Sequence, residues 1–101
     1  MARISVIVRF EVKPERVHDF PRAWNTVVHH VGKHEPDTDH YVLHRAKDKP
    51  NIFYVTEIYK DQVAFDTHIA SDAVLDLFHS LDDYIVKLEM DISEPIRSAK
   101  G

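Results

Sequence analysis

The sequence has no cysteine, no cluster of basic residues and no apolar run long enough to cross a bilayer. Lacking cysteine, it has neither a disulfide framework nor a thiolate zinc site, which suits a reducing, cytoplasmic setting. A net charge of −4 without a basic patch argues against nucleic acid or an anionic membrane as partner. The start, MARISVIVRFEV, alternates with charges and lacks both a continuous apolar segment and a small-residue cleavage site, so it does not read as a signal peptide. Internal linkers and low-complexity tracts are likewise missing. At 101 residues, 44% apolar and 30% charged, the composition is that of one globular domain spanning residues 1–101.

What is present is periodicity. From Arg3 to Val12 the pattern alternates, with Ile4, Val6, Val8, Phe10 and Val12 on one face, as a half-buried strand requires. Lys13-Pro14 then opens a helix whose stripe is Val17, Phe20, Trp24, Val27, Val28 and Val31, with Gly32 as C-terminal cap and a bend at Pro21. A connector ends at Pro36. Asp39–Arg45 and Ile52–Tyr59 form two further strands joined through the turn Lys47-Asp48-Lys49-Pro50-Asn51. Asp61 caps a helix carrying Ala64, Phe65, His68 and Ile69, and Ser71 caps another carrying Val74, Leu75, Phe78 and Leu81. A last strand runs through Val86, Leu88, Met90 and Ile92 until Pro95, before a loose tail, Arg97–Gly101.

The order β-α-β-β-α-β predicts the ferredoxin-like α+β fold, an antiparallel sheet with its helices on one face. The other face would present Ile7, Val42, Tyr54 and Ile58 among Arg9, His40, His44 and Thr56. It is too apolar to be left bare, so a two-fold homodimer packed sheet to sheet is expected.

Two residues stand out chemically. Glu57 lies on the apolar-leaning face of the third strand with Phe53, Val55 and Tyr59, and His68 lies on the apolar face of the following helix. Both point inward, where an imidazole near neutrality can serve as a general base and a neighbouring carboxylate can orient it or act as base itself. The competing structural role is a buried histidine bonded to Glu57 or to a backbone carbonyl. Tyr41 and Tyr59 are candidate polar contacts for a substrate oxygen, and Phe20, Trp24, Phe65 and Phe78 candidate apolar lining. Eight histidines invite a metal site. However, His40 and His44 are about 13 Å apart along a strand, and His30 and His34 share a helical face only if the helix continues past Gly32. No set of three or four converging ligands emerges, so no metal is expected.

Taken together, Lys13-Pro14 with Phe20, Glu35-Pro36 followed by Tyr41, Leu43 and Arg45, the run Asp48-x-Pro50 into FYVTEIY, and D-x-x-A-F-x-x-H-x-x-S (Asp61, Ala64, Phe65, His68, Ser71) resemble the antibiotic biosynthesis monooxygenase domain family of the dimeric α+β barrel group. The chain departs from the family pattern at Glu15 and Asp37, where glycines are usual, and at Tyr59, where tryptophan is common. The family includes cofactor-independent quinol and anthrone oxygenases, an isomerase of a phosphorylated signal, and haem-degrading oxygenases. The last branch does not fit: the first strand has no asparagine, His68 replaces its tryptophan, and His79 falls one residue past its haem histidine. The resemblance therefore implies a monooxygenase using O2 on a small aromatic or quinol-like substrate, with no cofactor. His68 would take the proton and Glu57 orient it. The alternatives are an isomerase or proton-transfer enzyme on the same site, or a non-catalytic small-molecule-binding or stress-response dimer.

Overall fold

The structure is a computed structural model describing residues 2–99. Its elements are β1 (Ile4–Val12), α1 (Phe20–Ala23), α2 (Asn25–His34), β2 (Thr38–Arg45), β3 (Ile52–Tyr59), α3 (Gln62–Ile69), α4 (Asp72–Ser80) and β4 (Ile85–Ser93), with short 3-10 turns at Pro14–Arg16 and Leu81–Asp83. The four strands form one antiparallel sheet in the order β2-β3-β1-β4. This is the ferredoxin-like α+β arrangement expected from the alternation, each crossover being helical. Among the described residues no helix is long and apolar enough to cross a membrane. The final two residues of the tail expected to be loose lie outside the described ones.

Strand parity positions the core. Val6, Val8, Phe10 and Val12 of β1 and Phe53, Val55, Glu57 and Tyr59 of β3 are all buried on the helix side. Trp24 packs edge-on and Phe20 tilted against Phe10, and Val27, Val31, Val74, Leu77 and Leu81 close the layer.

The first crossover differs from the single bent helix expected. Pro21 has no N–H to continue a helix begun at Pro14, so it sits in the first turn of the short α1, where that N–H is not required. A tight i→i−3 bond, Trp24 N–H to the Pro21 carbonyl at 3.2 Å, then separates α1 from α2. Gly32 is not a cap: α2 continues through it to His34 and stops because Pro36 disfavours helical backbone at Glu35. His30 and His34 therefore do lie one turn apart, their rings 5.4 Å from centre to centre. Val28, placed on the buried stripe, is exposed, and on α4 Leu77 is buried where Leu75 and Phe78 were expected. Both helix caps form as expected: Asp61 accepts from the Ala64 N–H at 2.9 Å and Ser71 from the Val74 N–H at 3.4 Å.

Candidate active site

The pleat aims Glu57 at the helices, and the register sets it between Val6 of β1 and Tyr41 of β2. Because β3 has a neighbour on each side, the Glu57 backbone is fixed by two ladders. The capped α3 carries His68 in its last turn and lowers it onto the same spot. The imidazole stands between two phenol rings, 5.1 Å from Tyr41 and 5.3 Å from Tyr59 between centroids. The expected convergence of Glu57 and His68 is thus present, with Oε1 of Glu57 3.9 Å from Nε2 of His68. That is an electrostatic contact and too long for a hydrogen bond.

The group that orients His68 is a different carboxylate. Nδ1 of His68 donates to both oxygens of Glu35, at 2.9 and 3.0 Å. Glu35 is buried, receives the Thr38 hydroxyl on Oε1 at 2.8 Å, and meets Nε2 of His30 through Oε2 at 3.2 Å. The bond to Glu35 selects the tautomer in which Nε2 carries the lone pair. The orienting role expected of Glu57 is therefore filled by Glu35. The Glu35-Pro36 pair was visible in the sequence, but a carboxylate at a helix exit carries no pattern telling where it points. The helix stop imposed by Pro36 is the local signal that it leaves the helical face.

Glu57 and His68 both line a cavity of about 470 Å³ between the sheet and α3–α4. Tyr41, Trp24, Phe65 and Phe78 also line it, as expected, and exposed Ile69, Phe78, Met90 and Ile92 form its mouth. Phe20 and Tyr59 do not. Phe20 is consumed by the core, its ring tilted against Phe53 at 5.0 Å between centroids, and Tyr59 is fully buried beneath Phe65 with its hydroxyl donated to Glu57. Leu88, Met90 and Ile92, unforeseen as lining, complete the wall from β4. They face inward because they pair with Phe10, Val8 and Val6. Trp24 contributes a buried indole N–H with no acceptor among the described residues.

Electrostatics at the polar end follow from dehydration. Burial raises the Glu57 carboxyl to about 7, the Tyr59 hydrogen bond pulling it down and the Glu35 charge pushing it up. Burial also lowers the His68 imidazole below its ordinary value, against the opposing attraction of Glu35. Tyr41 is raised by burial and then by the charges of Glu57 and Glu35, so its phenol keeps its proton. Tyr59 is raised for the same reasons. Near pH 7 the chamber can thus hold a neutral imidazole beside a carboxyl poised between acid and base.

A family model described as antibiotic biosynthesis monooxygenase matches residues 3–80. A conserved protein from Methanosarcina mazei Go1 is 29% identical with a TM-score of 0.84, the match covering 92% of each chain. A protein of Bacteroides thetaiotaomicron VPI-5482, provisionally named an antibiotic biosynthesis monooxygenase, superposes with a TM-score of 0.88 at 21% identity over 99% of this chain and 95% of its own. A similarly named protein of Caulobacter crescentus CB15 gives 0.88 at 18% identity, over 95% and 92%. At these last two identities the likeness is one of fold. No curated protein matches the chain.

Proposed function

The chain belongs to the antibiotic biosynthesis monooxygenase family, and on that premise we propose that it is a cofactor-independent monooxygenase for a small, neutral aromatic of the phenol, quinol or anthrone type. The observation that carries this reading is the pairing of His68 and Glu57 at one end of an otherwise apolar cavity. Such a substrate chiefly needs a proton removed; the resulting carbanion can pass an electron to O2 itself. Nε2 of His68 is the acceptor, held in the right tautomer by Glu35. Glu57 works in its acid form, donating to the substrate oxygen on which negative charge develops. As a carboxylate it would repel that charge. Tyr41 is a further donor in the wall. For an activated methylene the balance is simple: both C–H bonds break, one oxygen atom of O2 becomes the new carbonyl oxygen, and the other leaves as water with the two hydrogens. The substrate carbon supplies all the electrons that reduce O2.

Among the described residues no lysine or arginine lines the cavity, which favours a neutral ligand over the phosphorylated substrate of the isomerase alternative. Two copies joined through the open sheet face, in the cytoplasm, complete the proposed working form. The test is oxygen uptake with 1,8-dihydroxyanthrone as probe. His68→Ala should lower turnover by about 10²–10⁴-fold. Binding of the probe with no uptake by the native protein would sink the oxygenase reading and leave a binder or an isomerase.

A further inference from the structure

We propose that His30 is the outer end of a proton path joining the buried His68 to solvent on the side of the site away from the cavity mouth. The inference rests on the reading of His68 as proton acceptor and goes beyond it by assigning a proton-relay role to a residue that does not line the cavity.

The path is graded in burial, with a hydrogen-bonded inner link from His68 to Glu35 and an ion-pair contact from Glu35 to His30. The side chains of His68 and Glu35 are each 4% exposed, and that of His30 on α2 is 28% exposed. One oxygen serves both histidines: Oε2 of Glu35 lies 3.0 Å from Nδ1 of His68 and 3.2 Å from Nε2 of His30. A proton passing along the path therefore needs no rotation of the carboxyl, only a turn of the His30 ring into line with Oε2. The other oxygen is pinned by the Thr38 hydroxyl and by the second contact with Nδ1. Glu35 also forms part of a small outer pocket of about 90 Å³ with His34, Pro36 and Thr67, separate from the main cavity. It thus stands between the reacting chamber and the exterior.

The chemistry gives the path a use. A ligand filling the cavity seals its mouth, so the imidazolium formed when Nε2 takes a proton cannot discharge that way. The Nδ1 proton moves instead to Oε2 of Glu35 and from there to Nε2 of His30, in the tautomer whose lone pair faces Glu35. His30 releases its Nδ1 proton to water. Only protons move, and the path runs in reverse when a proton is returned to form water, so the cycle is neutral. The ring of His34 flanks His30 on the same helix and offers the next exchanging group.

The experiment uses the full chain, nitrogen-15 labelled, and reads the solvent-exchange rate of the His68 Nδ1 proton by NMR with no substrate present. His30→Gln should keep that proton's hydrogen-bonded chemical shift yet slow its exchange by at least about tenfold. A native proton exchanging too fast to observe that becomes observable in the variant is the same result. His30→Ala should slow exchange too and recover it with millimolar imidazole in the buffer. Unchanged exchange in both variants would overturn the proposal, since protons would then be leaving at Glu35 through the outer pocket. Loss of the hydrogen-bonded shift in His30→Gln would also overturn it, because His30 would then merely hold Glu35 in place. The measurement involves no turnover, so its failure leaves the oxygenase reading standing, and a failed oxygen-uptake assay leaves this measurement intact.

Discussion

Glu57 works against the fold that holds it. Its folded value of about 7 lies above the ordinary 4.5, so between those values the native state retains a proton that the unfolded chain has lost, and stability falls as pH rises. At about 1.36 kcal/mol per unit the whole penalty is ~3 kcal/mol. Glu57→Gln keeps an acceptor for the Tyr59 hydroxyl and cannot ionise. Urea melts should find it more stable than the native chain at pH 8, by up to that amount, with no such gain at pH 4. Its amide N–H can still donate to the substrate oxygen, so the same variant should keep its oxygen uptake above pH 7, where the native rate falls. In the native protein turnover should rise with pH while His68 sheds its proton, below the ordinary imidazole value, and fall through about 7 as Glu57 ionises. A rate that instead climbs through 7 would make the Glu57 carboxylate the base. Both residues were legible in the sequence because each interrupts an apolar face. Glu35 was not, because a residue leaving a helix belongs to no period.

At the scale of the elements, α3 is the support on which His68 depends, and its start is fixed by one side chain. Asp61→Ala removes the 2.9 Å cap on the Ala64 N–H and should cost about 1 kcal/mol. Ser71→Ala should cost less, its cap on α4 being longer at 3.4 Å. Chemical denaturation of the two variants side by side checks the order; equal losses would mean that packing of α3 and α4, and not capping, decides their ends. The caps and strand limits were readable because Asp, Ser and alternating apolar residues act locally. The phase of α4 was not. Size alone favours Phe78 as a core anchor, yet Val74, Leu77 and Leu81 fill that face while Phe78 reaches the cavity mouth. The split of the first crossover was half legible, since Pro21 announces a disturbance without saying on which side of it the helix will survive.

For the whole molecule, the face of the sheet opposite the helices decides the expected assembly. Ile7 is 47% and Val42 37% exposed there, side by side across Thr56 of β3. The hydroxyl of Thr56 meets Nε2 of both His40 and His44, at 2.8 and 2.9 Å, so the polar groups of this face are largely satisfied within the chain. An apolar strip bordered by self-satisfied polar groups suits burial against a second copy, where about 800 Å² per partner is typical of a stable contact. Ile7→Asp combined with Val42→Asp should halve the mass seen in sedimentation velocity while the circular dichroism spectrum stays native. A monomeric native protein would dismiss the pairing. Strand parity made this face readable from sequence, as side chains that do not face the core must face outward.

The chamber is mounted on two unequal supports. Its reactive end is anchored to β3, an interior strand, and to the neighbouring β2, whereas its far wall is furnished by the edge strand β4 and by α4. Exchanges at Leu88, Met90 or Phe78 can therefore re-cut the mould while His68 and Glu57 stay in place.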